Sequence, residues 1–283
     1  MKPARFRYER PESLEQTLAL LAGAGENASL LAGGQSLMAM MNMRLARPEV
    51  VIDINRLPDL DRIERQGDVV SIGALARQAA LARSELVARH LPLLAEALSE
   101  IAHPAIRNRG TLGGSLALAD PAAELPAVAV ALGAEIELAG IDGRRRVPAQ
   151  DFYRGLYDTA RRPDEMLLAA HFPVQAASEA SLFAEFSRRH GDFAVVGLAG
   201  RARRVEGRLR DCRVVFFGCE SHPHVALRLA EAVDGRAWDD ETAARADQAI
   251  AADLEPIASL EGSAAYKLHL ARVLARRAFA ALG

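Results

Sequence analysis

The sequence predicts an α+β fold built from more than one domain. Its 283 residues, half of them hydrophobic, are enough for two domains of ordinary size. Near the N-terminus, the order helix, strand, glycine-rich loop, helix, strand predicts a small α/β unit over residues 1–57. Beyond a polar stretch at residues 175–179, three apolar segments with short connections predict an antiparallel sheet, because parallel strands need longer crossovers.

The elements of the first unit follow from hydrophobic spacing. Leu14, Leu18 and Leu21 recur at the spacing of one helix face, and Gly23 and Gly25 end that helix. The predicted elements are a helix from residue 11, a strand at 29–32, a helix over 36–44 and a strand at 50–54.

The remaining chain divides at the polar stretch into units 58–175 and 179–283. In the second unit a helix ends at His103, since the residue before a proline disfavours helical backbone angles. Its predicted elements are strands at 68–73, 134–138 and 165–172, helical stretches at 75–82 and 93–101, an apolar stretch at 125–132 and a turn at 140–143. In the third unit we predict strands at 183–188, 194–203 and 211–218, then helices, the last over 263–282.

Composition argues against several classes of function. A net charge of −2 disfavours nucleic acid as a partner, and the three arginines at 144–146 are expected in a solvated turn. Cys212 and Cys219 are too few to ligate an iron–sulfur cluster and are expected to be buried as small hydrophobic residues. The sequence shows no secretory signal and no apolar run of the roughly 18 residues that cross a bilayer. We therefore expect a soluble, cytoplasmic protein without membrane insertion.

Two glycine-rich segments, residues 32–36 (AGGQS) and 111–115 (TLGGS), are the candidates for ligand binding. Glycine permits positive φ and close approach of a ligand, and consecutive backbone amides form a concave donor surface for phosphate. A helix after each segment adds its positive end. One such segment alone is as readily a tight turn, but two of the same design fit one ligand with two phosphates. Neither is a Rossmann fingerprint or a P-loop. The residues alone thus predict a pyrophosphate-bearing ligand, such as a nucleotide.

Four stretches of sequence carry a family resemblance. LAGGQSL at 31–37 resembles the first FAD motif of the medium subunits of bacterial molybdenum hydroxylases, the carbon monoxide dehydrogenase and xanthine dehydrogenase type. HPAIRNRGTLGGSLA at 103–117, followed by DPAAELP at 120–126, resembles the second FAD motif. RRHGDFA at 188–194 and SAAYK at 263–267 resemble parts of the C-terminal domain of that family. The resemblance covers essentially the whole chain.

The resemblance implies a two-subdomain FAD-binding fold of the vanillyl-alcohol-oxidase/UDP-enolpyruvoyl-reductase type, plus a C-terminal domain with a three-stranded antiparallel sheet and helices. It places the pyrophosphate at the two glycine-rich segments and the FAD sugar region at Glu124. Ser29 and Glu185 stand where some relatives carry lysine. The implied FAD-binding residues are Leu31, Ala32, Gly33, Gly34, Gln35, Ser36, Leu37, Thr111, Leu112, Gly113, Gly114, Ser115, Asp120, Glu124, Leu167 and Phe193.

The function that the resemblance implies is an electron relay. A large partner subunit hydroxylates a substrate at a molybdenum cofactor, and a small subunit passes the electrons through two [2Fe-2S] clusters to FAD in this chain. FAD then reduces an external acceptor, and the implied assembly is a dimer of heterotrimers. We assign no catalytic residue and no metal ligand to this chain. The substrate and the acceptor (NAD, oxygen, a quinone or a cytochrome) stay open.

Two alternatives remain at this point. One is a stand-alone FAD-dependent oxidase of the same fold group, and the other is a non-enzymatic nucleotide-binding scaffold. His103 and His190 are expected in loops near the flavin, and residues 222–224 in a surface loop rather than a metal site. We also expect Gly33→Val and Gly113→Val to abolish FAD binding by filling the space of the phosphates.

Overall fold

The computed structural model describes residues 2–282 and confirms the α+β class, with a parallel sheet followed by two antiparallel sheets. The elements of the N-terminal part are β1 (Arg7–Glu9), α1 (Leu14–Ala24), β2 (Ala28–Leu31), α2 (Leu37–Asn42) and β3 (Val50–Asp53). The first sheet has the strand order β1-β3-β2, and β3 pairs in parallel with both neighbours. Strand β1 was not predicted, because Arg7, Tyr8 and Glu9 form no apolar run.

Helix α1 begins as its sequence dictates. The Ser13 hydroxyl accepts a hydrogen bond from the Gln16 amide at 3.2 Å, which caps the first turn. Leu18 and Leu21 are buried in a core that they share with β3. Gly25, with a φ of 53°, ends the helix.

The second sheet is antiparallel, with the order β4-β5-β10-β6-β7. Its strands are β4 (Ile63–Gln66), β5 (Val69–Gly73), β6 (Glu135–Gly140), β7 (Gly143–Pro148) and β10 (Met166–Pro173). A separate small ribbon consists of β8 (Tyr153–Gly155) and β9 (Asp158–Thr159). The helices of this part are α3 (Gln78–Leu81), α4 (Glu85–His90), α5 (Pro92–Glu100), α6 (Pro104–Arg107), α7 (Leu112–Leu118), α8 (Glu124–Leu132) and α9 (Ala149–Phe152).

Helix α8 lies at the centre of the molecule. All nine of its residues are buried, as expected for a helix that is apolar on every side. It packs against α5 and against β12 (Val196–Val205) and β13 (Arg208–Phe217) of the third sheet. One continuous core therefore joins the second sheet to the third.

The arginine run at 144–146 was predicted to form a solvated turn, and this prediction was wrong. It lies in strand β7, and Arg145 forms a bidentate ion pair with the buried Glu165, with distances of 2.6 Å from Nε to Oε1 and 2.8 Å from Nη2 to Oε2. Arg144 pairs with Glu137 of the neighbouring strand β6. Three adjacent arginines form a strand here because acidic side chains on neighbouring segments compensate them.

The third sheet is also antiparallel, with the order β11-β12-β13-β14. Its strand β11 (Glu179–Phe186) starts earlier than predicted, and β14 (His224–Val225) adds a two-residue fourth strand. His224 thus lies in a strand and not in the predicted surface loop, with its Nδ1 3.0 Å from Glu220 Oε2. The last helices are α10 (Leu227–Val233), α11 (Asp240–Asp253) and α12 (Ala264–Ala280).

Two further expectations concern burial and membranes. Cys219 is buried, as predicted, whereas Cys212 is only half-buried, and both thiols are free. Among residues 2–282, no helix combines the length and the apolar character that spanning a membrane requires.

Candidate functional site

A cavity of about 610 Å³ lies where the three sheets meet. The first part of the chain contributes residues from Leu21 to Ile54 to its wall, and the second contributes residues from Ala74 to Leu167. The third part adds Gly191, Asp192 and Phe193. Both glycine-rich segments lie in this wall, so the fold brings together two stretches that are far apart in sequence.

The first segment, residues 32–36, is the loop between β2 and α2. Gly34 has a φ of 72°, a conformation that favours glycine. Within the described part of the chain, the backbone amides of residues 33–37 donate to no protein acceptor, and the Ser36 hydroxyl has no partner. Such a run of unbonded amides at a cavity wall is suited to bind an anion.

The second segment, residues 111–115, is not a loop of the same design. Thr111 caps α7 by accepting a hydrogen bond from the Gly114 amide at 3.0 Å, so both glycines lie in the first turn of a helix. The amides of Leu112, Gly113 and Ser115 donate to backbone carbonyls. This segment therefore offers the Ser115 hydroxyl to the cavity rather than a run of free amides.

The glycines of the two segments allow close packing of the protein itself. A Cβ at Gly33 would overlap the carbonyl oxygen of Arg109, and one at Gly113 would lie 2.6 Å from the Ala74 Cβ. The expectation that valine at Gly33 or Gly113 would act by filling the space of the phosphates is therefore wrong. The added side chains would first meet protein atoms, not the space of a ligand.

Glu124 is the buried one of the three acidic residues that line the cavity; the other two are Asp120 and Asp192. It is 4% exposed, opens α8, and its carboxyl group accepts a hydrogen bond from its own backbone amide. Burial, reinforced by the negative charges of Asp120 and Glu100, raises the pKa of Glu124 from 4.5 to about 7. One local hydrogen bond leaves acceptor positions of this buried carboxyl group unused, which makes it a natural contact for a polar ligand.

The other predicted residues fall into two groups. Leu31 and Leu112 do not line the cavity; Leu112 is fully buried in the protein core. All the others line it, and among these Leu167 is buried whereas Phe193 is 59% exposed at the wall. Asp120 accepts a hydrogen bond from the hydroxyl of Tyr157 at 3.1 Å.

Sequence reasoning missed four polar residues of the wall, Ser29, Asp192, Gln78 and Arg161, and the last two are described here. Gln78 is buried, and its Oε1 has no hydrogen-bond partner among the described residues. Arg161 is the one cationic side chain of the cavity wall within residues 2–282, and its Nη1 donates to the carbonyl of Glu165 at 2.8 Å. Neither belongs to a motif, so no sequence signal marked them.

Glu185 lies behind the wall on β11. Its carboxylate oxygens are both buried and have no hydrogen-bond partner among the described residues. Burial, together with the charges of Glu124 and Glu100, raises the pKa of Glu185 from 4.5 to about 8.

The histidines lie outside this site. His190 pairs with Glu100, with 3.3 Å between Nδ1 and Oε2, and neither His103 nor His190 lines the cavity. In the described part of the chain, no group of three or more His, Cys, Asp or Glu residues is placed to hold a metal ion.

Comparison with known proteins gives matches over nearly the whole chain. Residues 4–175 match a family model described as the FAD binding domain in molybdopterin dehydrogenase. Residues 181–282 match the CO dehydrogenase flavoprotein C-terminal domain.

Two curated relatives and one solved structure agree with these matches. The chain is 39% identical to the 6-hydroxypseudooxynicotine dehydrogenase complex subunit alpha of Paenarthrobacter nicotinovorans, covering 99% of this chain and 95% of that protein. It is 38% identical to the carbon monoxide dehydrogenase medium chain of Hydrogenophaga pseudoflava, covering 98% and 97% of the two chains. A solved carbon monoxide dehydrogenase from the same organism superposes with a TM-score of 0.96, at 38% identity, over 99% of this chain and 98% of that one.

Proposed function

Since the chain belongs to the family of FAD-binding flavoprotein subunits of molybdopterin dehydrogenases, we propose that it relays electrons from a partner's iron–sulfur clusters to an external acceptor. The family is one of oxidoreductases, so the resemblance in the sequence identified it correctly. The observation that carries the relay is the match to a medium chain over nearly the full length of both proteins.

The residues of the cavity fit FAD. The unbonded amides of residues 33–37 suit a pyrophosphate, and the buried carboxyl group of Glu124 suits the hydroxyl groups of a sugar chain. The volume of about 610 Å³ lies in the range of cofactor sites. We propose that the predicted residues lining the cavity contact FAD, with Gln78 and Arg161 added.

The role of this chain is to hold and tune the cofactor. Bound FAD supplies the one- and two-electron redox chemistry that links a cluster to an acceptor. The first loop orients the pyrophosphate, while Leu167 and other apolar residues exclude water from the wall. No side chain of this chain is required to transfer a proton to or from the organic substrate.

The partners follow from the same proposal. A large subunit with the molybdenum cofactor and a small subunit with two [2Fe-2S] clusters would join this chain, as a dimer of heterotrimers. Within the chain we propose two FAD-binding units, residues 1–57 and 58–175, and a C-terminal flavoprotein unit, 179–283. A cytoplasmic location remains a prediction.

Co-expression with the neighbouring reading frames tests the relay. We expect a complex that contains bound FAD, and we expect this FAD to be reduced only when the molybdenum and iron–sulfur subunits are present with a substrate. Turnover by this chain alone would support the stand-alone oxidase instead. A colourless chain that takes up no FAD would contradict both of these functions and would support the alternative of a non-enzymatic nucleotide-binding scaffold.

A further inference from the structure

Two polar side chains behind the cavity wall, Asn55 and Arg77, connect the two glycine-rich segments. Asn55 follows β3, and Arg77 directly precedes α3. Neither residue lines the cavity, so neither is placed to contact a ligand in it. Their hydrogen bonds nevertheless reach both segments that do.

Asn55 holds the start of the first loop. Its Nδ2 donates to the carbonyl of Ala32 at 2.8 Å and lies 3.1 Å from the carbonyl of Leu31. The same amide is fixed from behind by Asp53, whose Oδ1 lies 2.7 Å from Nδ2. Asn55 is thereby held in one orientation toward the loop.

Arg77 extends this connection to the second segment. One branch of its guanidinium, Nη2, donates to Asn55 Oδ1 at 2.6 Å, and the other, Nη1, donates to the carbonyl of Arg109. That carbonyl is the group against which Gly33 packs. The backbone of Arg77 also forms an antiparallel bridge with Thr111. A single guanidinium thus joins Asn55 to the chain that leads into α7.

These bonds determine where the loop amides point. In a trans peptide, the carbonyl of one residue and the N–H of the next point in opposite directions. Asn55 holds the carbonyl of Ala32, and Gln35 Nε2 donates to the carbonyl of Gly33 at 3.0 Å. The N–H groups of Gly33 and Gly34 are therefore directed away from these donors, and both residues line the cavity.

We propose that Asn55 and Arg77 are positioning residues for the FAD pyrophosphate. Asn55 orients the amides of the first loop, and Arg77 keeps Asn55 and the second segment in register. Donors that are ordered before binding give higher affinity, because the ligand does not have to order them. The inference rests on the proposed function, since it takes the pyrophosphate to bind at the first loop.

The test compares FAD with riboflavin, which has the same ring system but no phosphate, on the full-length chain. Asn55→Asp keeps the size of the side chain but removes the N–H donors. Arg77→Lys keeps the charge but lacks the planar fork that reaches two acceptors. Flavin fluorescence gives the dissociation constants, and Asn42→Asp and Arg83→Lys, both at exposed positions outside the cavity, are the matched controls.

We expect each test variant to raise the dissociation constant for FAD about tenfold or more, and that for riboflavin less than about twofold. In the double variant, the dissociation constant for FAD should rise by a smaller factor than the product of the two single-variant factors. The reason is that both residues act through one connection. The controls should bind both flavins as the parent does. Asn55→Ser, which removes the amide without adding charge, replaces Asn55→Asp if that variant does not fold.

Three results would overturn the inference. They are unchanged FAD affinity in the folded variants, an equal loss for both flavins, and full FAD affinity in Arg77→Lys when Arg77→Met has lost it. The last result would show that charge alone matters. A different result addresses the proposed function itself: if the unmodified chain does not prefer FAD over riboflavin, the pyrophosphate is not bound at the first loop.

Discussion

Gly33 has no space for a side chain, because the backbone of Arg109 lies against its α-carbon. Gly33→Ala should lower the free energy of unfolding by about 1–3 kcal/mol, the usual cost of overpacking, and should weaken FAD binding as the loop shifts. Gly23→Ala is the control, since a Cβ there meets open space within α1. It should leave stability unchanged or raise it by up to about 1 kcal/mol. Urea denaturation measures both, and a Gly33→Ala variant as stable as the parent would contradict the packing.

Glu185 makes the stability of the protein depend on pH. Its pKa is about 8 in the folded protein against 4.5 for an exposed glutamate, so the folded state keeps a proton that the unfolded state releases. Since the folded pKa is the higher one, stability is lost as the pH rises from about 4.5 to about 8 and is constant beyond.

Glu185→Gln should remove the loss of stability between about pH 4.5 and about pH 8, because glutamine does not ionise. The variant and the parent should unfold with similar free energies near pH 4.5, and the variant should be more stable by about 1–3 kcal/mol at pH 8. Urea denaturation across this range checks the trend, with the exposed Glu26→Gln as the control. A difference between variant and parent that stays constant with pH would show that Glu185 is ionised in the folded protein.

The ion pair between Arg145 and Glu165 should stabilise strand β7 more than the pair between Arg144 and Glu137 does. Arg145→Met would leave the buried Glu165 without its bidentate partner, and we expect a loss of about 3 kcal/mol in the free energy of unfolding. Arg144→Met removes a pair whose arginine is 63% exposed and should cost less than about 1 kcal/mol. Equal losses in the two variants, measured by chemical denaturation, would rule out a special role for the buried pair.

Elements with regular apolar spacing were predictable from sequence, and those shaped by distant partners were not. The spacing of the leucines in α1 predicts a helix, and the apolar run of β3 predicts a strand. Strand β7 gives no such signal, because its arginines are compensated by Glu137 and Glu165 from other segments. The helical start of α7 was missed because Gly113 disfavours a helix locally, while packing against Ala74 requires it.

The candidate site shows the same division at the scale of the molecule. Motifs predicted the segments around Gly33 and Thr111, and the structure places both in one cavity wall. Gln78 and Arg161 were not predictable, because only the packing of distant segments brings them to that wall. Asn55 escaped notice for the same reason, since its partners lie on other segments of the chain.

FAD should stabilise the whole molecule, because all three parts of the chain line the cavity that we propose as its binding site. A ligand present at about 100 times its dissociation constant adds about 2.7 kcal/mol to the free energy of unfolding if it binds only the folded state. Thermal unfolding with and without FAD should therefore show one cooperative transition at a higher temperature. A transition of the N-terminal parts alone would show that the third part does not share the site.

The contribution of Gly191, Asp192 and Phe193 to the cavity wall bears on the order of events during biosynthesis. A nascent chain that has left the ribosome only through its first two units still lacks this side of the cavity. If FAD binds in this cavity, as proposed, its stable capture must wait until the third sheet has been translated and has folded onto α8. Flavin loading thus becomes a late step of maturation, and a truncated translation product would be released without its cofactor.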